Sequence, residues 1–264
     1  MVFRKATAIV AIVGAFTAGT AVAETMSDAE FAAFVQDLSS TAAGPGLGRA
    51  AIAGIPSGFL TAPGHLNATL SGSYGPPRGG PGSTRFDAST SLAVGFGDPV
   101  NAVGVEVGLV NLSFRRFGHS GYFSVGFHRQ FSTGNGGTGS VALTVDQLGA
   151  WGDARGNRIG GTLVVSTMSD VPTATGRAPV MVSFGAGTNI TRDKTAGVVA
   201  GVGTGLSPDW SVSAGIYGDS GLVGATWHPT SYPGFTVGFT ARKQESTNAV
   251  FGVDVGYAFN IFGG

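Results

Sequence analysis

Few side chains in this sequence could do chemistry, and their spacing narrows what that chemistry is. Four histidines, His65, His119, His128 and His228, are scattered with no His-x-x-His pair and no carboxylate at ligand spacing, so no zinc site is expected. His119-Ser120 sets an imidazole beside a hydroxyl, the groups a general-base hydrolase needs. A loop histidine is the simpler reading. The run GNGGTG at 134–139 has the form Gly-x-Gly-x-x-Gly. A dinucleotide site needs that motif between a strand and a helix, and here it joins two strand-like segments, as a turn would. No catalytic residue, metal ligand or cofactor site is assigned.

Seven ionisable residues form a more coherent set. Arg85, Asp87, Glu106, His128, Asp146, Arg242 and Asp254 each sit on the polar side of a segment that alternates apolar and polar residues. Around one lumen, four acids, two arginines and a histidine could line a weakly cation-preferring pore. They could equally pair across the lumen and fill it. Asp254 is the clearest case. In the closing run NAVFGVDVGYAFNIFGG, Phe251, Val253, Val255, Tyr257, Phe259 and Ile261 share one face, and Gly252, Asp254, Gly256, Ala258 and Asn260 share the other.

The elements that must hold this set are strands. Period-2 segments recur at 65–74, 84–96, 101–111, 121–131, 140–150, 158–168, 179–189, 195–206, 210–218, 220–227, 234–242 and 248–262. That is about twelve strands of about ten residues, the length a tilted strand needs to cross a bilayer. GDP at 97–99, SPDW at 207–210 and HPTSYPGF at 228–235 read as tight turns on one side, periplasmic if the C-terminus is periplasmic. The opposite connections carry most of the arginine and lysine. Trp151, Trp210, Trp227, Tyr232 and Tyr257 gather at segment ends, where an amphipathic ring suits a headgroup zone.

Composition agrees. The 264 residues include 46 glycines, and only 11% are charged, against about 25% in an ordinary soluble domain. Arg4 and Lys5, the apolar ATAIVAIVGAF and the small residues AVA before Glu24 read as a cleaved signal peptide over 1–23. Without Arg4 and Lys5, the 15 basic residues fall to 13 against 15 acids. With no basic stripe, nucleic acid is not an expected partner. Cysteine is absent, so no disulfide holds the exported chain. Residues 24–64 comprise a helix predicted at 27–40 and an irregular Gly-, Ala- and Pro-rich lead-in, a possible plug. The helix opens on the capping box Ser27–Glu30 and carries the stripe Phe31, Phe34, Val35 and Leu38.

A soluble sandwich would bury the apolar faces and cover its outer faces with charge. Here the second faces are mostly Gly, Ala, Ser, Thr and Asn, as a barrel lumen requires. In hydrocarbon each unpaired backbone group costs several kcal/mol, so the sheet must close. The fold class expected is therefore all-β: a transmembrane antiparallel up-and-down β-barrel of about 12 strands over 65–264, with a short N-terminal helix.

A resemblance supports this reading. Asp254, Gly256, Phe259 and Ile261 resemble the C-terminal assembly signal of bacterial outer-membrane β-barrel proteins, although this chain continues to Phe262, Gly263 and Gly264. The resemblance implies outer-membrane localisation, contact with its lipids and insertion by the barrel assembly machinery. GLGRA at 46–50 is similar to the hatch of the long-chain fatty-acid transporter family, and 55–74 is similar to the lead into poorly characterised barrels, some linked to exopolysaccharide export. His119-Ser120-Gly121 resembles outer-membrane lipid hydrolases, without the asparagine of their motif. The function expected is a small porin-like channel for passive passage of small solutes. The alternatives are a structural or export-associated barrel with a filled lumen, whose residues 27–40 serve a periplasmic partner, and a lipid-modifying enzyme.

Overall fold

The computed structural model describes residues 50–75, 85–112, 117–133, 137–173, 176–191, 193–244 and 249–261. The signal peptide expected at 1–23, the helix predicted at 27–40 and the final Phe262–Gly264 lie outside the described residues, as do 134–136 of the glycine run. Twelve strands run in order: β1 (His65–Gly75), β2 (Arg85–Gly97), β3 (Gly104–Asn111), β4 (Gly121–Ser132), β5 (Thr138–Trp151), β6 (Gly160–Thr173), β7 (Gly176–Gly187), β8 (Gly197–Gly205), β9 (Trp210–Tyr217), β10 (Ser220–Trp227), β11 (Phe235–Gln244) and β12 (Val250–Asn260).

Each strand pairs antiparallel with its chain neighbours, and β1 pairs with β12 to close the ring. That seam runs unbroken from His65↔Asn260 to Tyr74↔Phe251. No strand edge is left, which meets the backbone demand of a lipid environment. The connections 98–103, 206–209 and 228–234 stand at the end of the barrel where β1 begins and β12 ends. We call this the seam end. The connections 112–120, 152–159 and 188–196 stand at the other, the loop end.

Period-2 alternation in the sequence becomes a two-sided wall. Outward side chains such as Phe184 (64%) and Val223 (57%) are exposed, whereas Ser89, Ser140 and Ser211 on the inner side are fully buried. A continuous exposed band of Phe, Leu and Val is stable against hydrocarbon and costly against water, which makes this a transmembrane barrel. Near the seam end Trp210 faces Trp227 at 6.4 Å between ring centroids, and Tyr257 meets Phe259 at 4.5 Å. At the loop end Trp151 packs on Phe123 at 5.6 Å and donates its indole N–H to the Gly118 carbonyl. Rings at both rims match the interfacial preference of indole and phenol.

Two local features differ from the sequence reading. The β6–β7 hairpin extends past the predicted 158–168 and 179–189, with Ser169↔Val180 through Thr173↔Gly176 still in register. Asp170, Val171 and Pro172 are exposed there. The hairpin continues on backbone pairing and a hydrogen bond from the Arg177 guanidinium to the Asp170 carbonyl (2.8 Å), and a hydrophobic period cannot report that. In β5, Gln147 takes φ 61° and Gly149 φ 57°, and the register with β4 shifts twice, between Gly121 and Phe123 and between Phe123 and Val125. This is a double bulge. It keeps Leu148 opposite Phe123 and Trp151 opposite Gly121.

Candidate functional site: a strap across the lumen

Residues 50–62, just ahead of β1, run inside the barrel. The sequence AAIAGIPSGFLTA does not form a helix or a strand there. Gly54 has φ 76°, and Pro56 and Gly58 interrupt any regular ladder. Its backbone polar groups therefore need partners from the wall. Ala53 N–H donates to Ser213 Oγ of β9 (3.0 Å), and Gly58 N–H donates to Ser166 Oγ of β6 (2.7 Å). The Gly58 carbonyl accepts from the Ser140 hydroxyl of β5. Thr61 N–H donates to Glu106 Oε2 of β3 at 2.8 Å, and the Thr61 hydroxyl accepts from Asn67 Nδ2 of β1 at 2.9 Å. The chain then turns into β1 through Gly64 N–H to the Gly95 carbonyl (2.9 Å). The strap thus spans the lumen from the β1–β3 wall to the β8–β10 wall.

Apolar packing completes the attachment. Ile52, Ile55 and Phe59 join a buried cluster with Met168, Met181, Val199, Tyr217 and Leu222, which face inward from β6 to β10. The wall makes room by omitting side chains. A Cβ at Gly215 would overlap Ile55 and the Ala200 carbonyl, and one at Gly203 would overlap the Ala51 carbonyl. Between the strap and β3–β6 lies a small cavity with room for about one water molecule, lined among others by Ser57, Leu60, Glu106, Ser124, Thr144 and Thr162.

The remaining wall is polar. Ser211, Thr226, Gly238, Asp254, Ser71 and Ser89 are successive cross-strand partners from β9 through the seam to β2. They form one row of small or hydroxyl-bearing residues around half the barrel, with one carboxylate. Asp254 lies over Gly238, where a Cβ would come within 3.1 Å of its Oδ2. The question that Asp254 poses in an apolar segment is answered by this row: it is an inward residue, buried at 5% exposure.

The seven ionisable residues picked from the sequence do not form a single ring. Glu106 and His128 stand toward the seam end, the first opposite Gly126 and the second opposite Gly104. The His128 ring is buried against Gly104, beside Pro99. Asp254 is midway. Asp146 stands toward the loop end beside Gly160, and Arg242 holds its guanidinium 6.0 Å from the inward Tyr217 ring. Arg85 and Asp87 take the inner register of β2 at the same end, paired with Gly75 and Ser73, and their side chains lie outside the described residues. Sequence reasoning missed the serines that bind the strap, Ser140, Ser166 and Ser213. Their trace is an inner face of serine and glycine in place of bulkier residues.

Ser120 is buried. It accepts from Ala154 N–H at 3.0 Å and donates to the Trp151 carbonyl, tying the β3–β4 loop to a 3-10 turn at Gly152–Ala154. His119 is exposed, 3.9 Å from Asp153. The serine beside it is thus engaged with backbone. Among the described residues no three His, Cys, Asp or Glu side chains converge on a common point.

Fold and strap together define a class: a closed twelve-stranded transmembrane β-barrel that carries the segment preceding its first strand inside the lumen. No protein-family model matches the sequence, and no curated protein matches it. Among solved structures the chain is similar to a KdgM porin in complex with disordered oligogalacturonate, at 8% identity and TM-score 0.47, over 74% of this chain and 99% of that one. It is also similar to an outer membrane channel from Pseudomonas putida F1, at 9% identity and TM-score 0.45, over 76% and 97%.

Proposed function

We propose that this protein is an outer-membrane channel for passive passage of small solutes, held shut in this conformation by residues 50–62. The observation that carries the reading is the strap, hydrogen-bonded to β3, β5, β6 and β9 and packed into the inward cluster of β6–β10. A polypeptide lying across the lumen at that level excludes a hydrated solute. Its removal would leave a polar row on one side and glycine-lined hollows on the other, a wall suited to water. In this reading the outer band faces outer-membrane lipid, residues 1–23 direct export, and Asp254, Gly256, Phe259 and Ile261 present the strand to the assembly machinery. Residues 27–40, with Phe31, Phe34, Val35 and Leu38 on one stripe, offer a periplasmic partner a handle on the strap.

Burial of the hydroxyl row favours a second reading, a permanently filled barrel that serves structure or export. Planar-bilayer recordings separate the two. The mature chain is expected to be nearly silent, and a folded variant lacking residues 24–62 to give frequent discrete steps. Equal conductance from both proteins would remove the strap from the mechanism. A silent deletion variant with intact heat-modifiable gel mobility would replace the channel with the filled barrel.

A further inference from the structure

The β7–β8 connection does more than join two strands at the loop end. Its Ile190 is 5% exposed and belongs to the same buried cluster as Ile52 and Ile55 of the strap, together with Val199, Tyr217 and Leu222. Inner-face glycines leave the space for it. A Cβ at Gly187 would come within 3.0 Å of Ile190 Cγ2, and one at Gly197 within 3.0 Å of its Cγ1. A Cβ at Gly218 would overlap the Ile190 carbonyl. This side chain therefore dips inside the wall, toward the strap.

The connection is built to hold it there. Asn189 takes φ 61° and Lys194 φ 56°, left-handed conformations that residues other than glycine keep only where their surroundings fix them. Asn189 Nδ2 donates to the Arg158 and Ile159 carbonyls of the β5–β6 connection, at 3.3 and 3.1 Å. Thr188 N–H donates to the Gly161 carbonyl at 2.8 Å, and Ile190 N–H to the Thr195 carbonyl at 3.2 Å. The Thr191 and Thr195 hydroxyls bond each other at 2.7 Å. These bonds tie the connection to its neighbours and to itself. The Ile190 side chain ties it to the cluster that holds the strap.

We infer that Ile190 is a loop-side positioning residue for the strap: through the shared cluster it holds Ala50–Ile55 to the wall, and displacement of the β7–β8 connection from the loop end loosens that half first. Contiguous packed side chains carry coupling of this kind, and a close-packed cluster does not lose one member without freeing others. Phe59 also joins the cluster, but Gly58 beside it is held by the Ser166 and Ser140 hydroxyls, outside that cluster. The second half is therefore affected less. That loosening promotes opening is a consequence that rests on the closed-channel reading, whereas the coupling itself does not.

The test is amide exchange on the full mature chain refolded in detergent. Ile190→Ala should raise exchange at Ala53 by about tenfold and leave Gly58 little changed. Ile190→Val, which keeps most of the buried volume, should stay close to wild type. Asn189→Ala should also raise exchange at Ala53, by less, although the bonds it deletes go to the β5–β6 connection and not to the strap. Wild-type exchange at Ala53 in Ile190→Ala overturns the inference, and so does an equal rise at Ala53 and Gly58. If Ile190→Ala does not fold, judged by heat-modifiable gel mobility, Asn189→Ala decides: faster exchange at Ala53 supports the coupling, and unchanged exchange removes it. In planar bilayers Ile190→Ala should open more often than wild type. Faster exchange at Ala53 in a chain that never conducts loses the channel and keeps the coupling. A conducting chain whose Ala53 exchange ignores Ile190 keeps the channel and loses the coupling.

Discussion

The two halves of the strap are held by different physics. From Ala50 to Ile55 the chain is attached mainly by burial, with Ile52 and Ile55 set among Met168, Met181, Val199, Tyr217 and Leu222 and a hydrogen bond to Ser213. From Ser57 to Thr61 it adds directed bonds, to Ser140, Ser166 and Glu106, to the burial of Phe59 and Leu60. Burial is non-directional and tolerates small shifts. A hydrogen bond is lost within a few tenths of an ångström or a few tens of degrees. The first half thus supplies strength and the second supplies position.

The comparison is broken most forcefully at Ile55. Ile55→Asp puts a charge where the native side chain is 1% exposed, beside Gly201 and Gly215. The loss exceeds the ~2–5 kcal/mol of an ordinary large-to-small core change, because an unpaired charge is added to the lost packing. In planar bilayers the open fraction should rise at least about 30-fold, the factor equivalent to ~2 kcal/mol. Amide exchange should accelerate at Ala53 more than at Gly58. Uniform acceleration at both would mean that the strap moves as one body, and the division into halves would go.

Ser166→Ala comes next. It leaves the buried Gly58 N–H without its acceptor and also removes the partner of Ser183 at 2.6 Å. Leaving a buried donor unsatisfied costs ~1–3 kcal/mol. Exchange at the Gly58 amide should rise by about tenfold, with Ala53 little changed. An effect larger than that of Ile55→Asp would make the bonded half the dominant attachment. Ser213→Ala is milder, because the Ala53 bond is only part-buried. Its net worth is ~0.5–1.5 kcal/mol, read as faster exchange at Ala53 alone.

The same contrast explains how much of the molecule was legible in the sequence. Strands were legible because lipid outside and a crowded lumen inside force alternate residues apart, as Val253 and Asp254 show. The twelve segments and the inward placement of Glu106, His128 and Asp254 derive from that single period, and the seam-end turns from their Pro and Asp residues. The strap has no period. Its contacts alternate between carbonyls, amides and methyl groups from several strands, so nothing repeats along 50–62. Its imprint lies on the partner: Gly201, Gly203, Gly215 and Gly224 crowd the inner face of β8–β10 where the chain passes. Glycine in a lumen can mean either a narrow barrel or a guest, and composition alone does not choose. The positive φ of Gln147 was likewise invisible, since a bulge needs only one extra residue in an otherwise regular run.

The smallest effect lies outside the strap and serves as its control. Asp98, in the β2–β3 turn, accepts from the Asn101 and Val100 amides at 3.0 Å each and from Asn101 Nδ2 at 2.8 Å. The Asn101 amide is the main cause that holds its carboxyl below the usual 3.8, followed by the Asn101 side chain. A depressed folded pKa means that the turn gains stability above the unfolded value and loses it as pH falls through the folded one. A carbon NMR titration of Asp98 should therefore show a midpoint below 3.8. Asn101→Ala deletes only the side-chain donor, so the midpoint should climb part of the way back and no further. The turn is exposed and shares no hydrogen bond with residues 50–62, so exchange at Ala53 and Gly58 should be the same in Asn101→Ala as in wild type. If either amide quickened, the strap would be coupled to the seam-end turn as well as to the wall, and neither half could be treated as independently anchored.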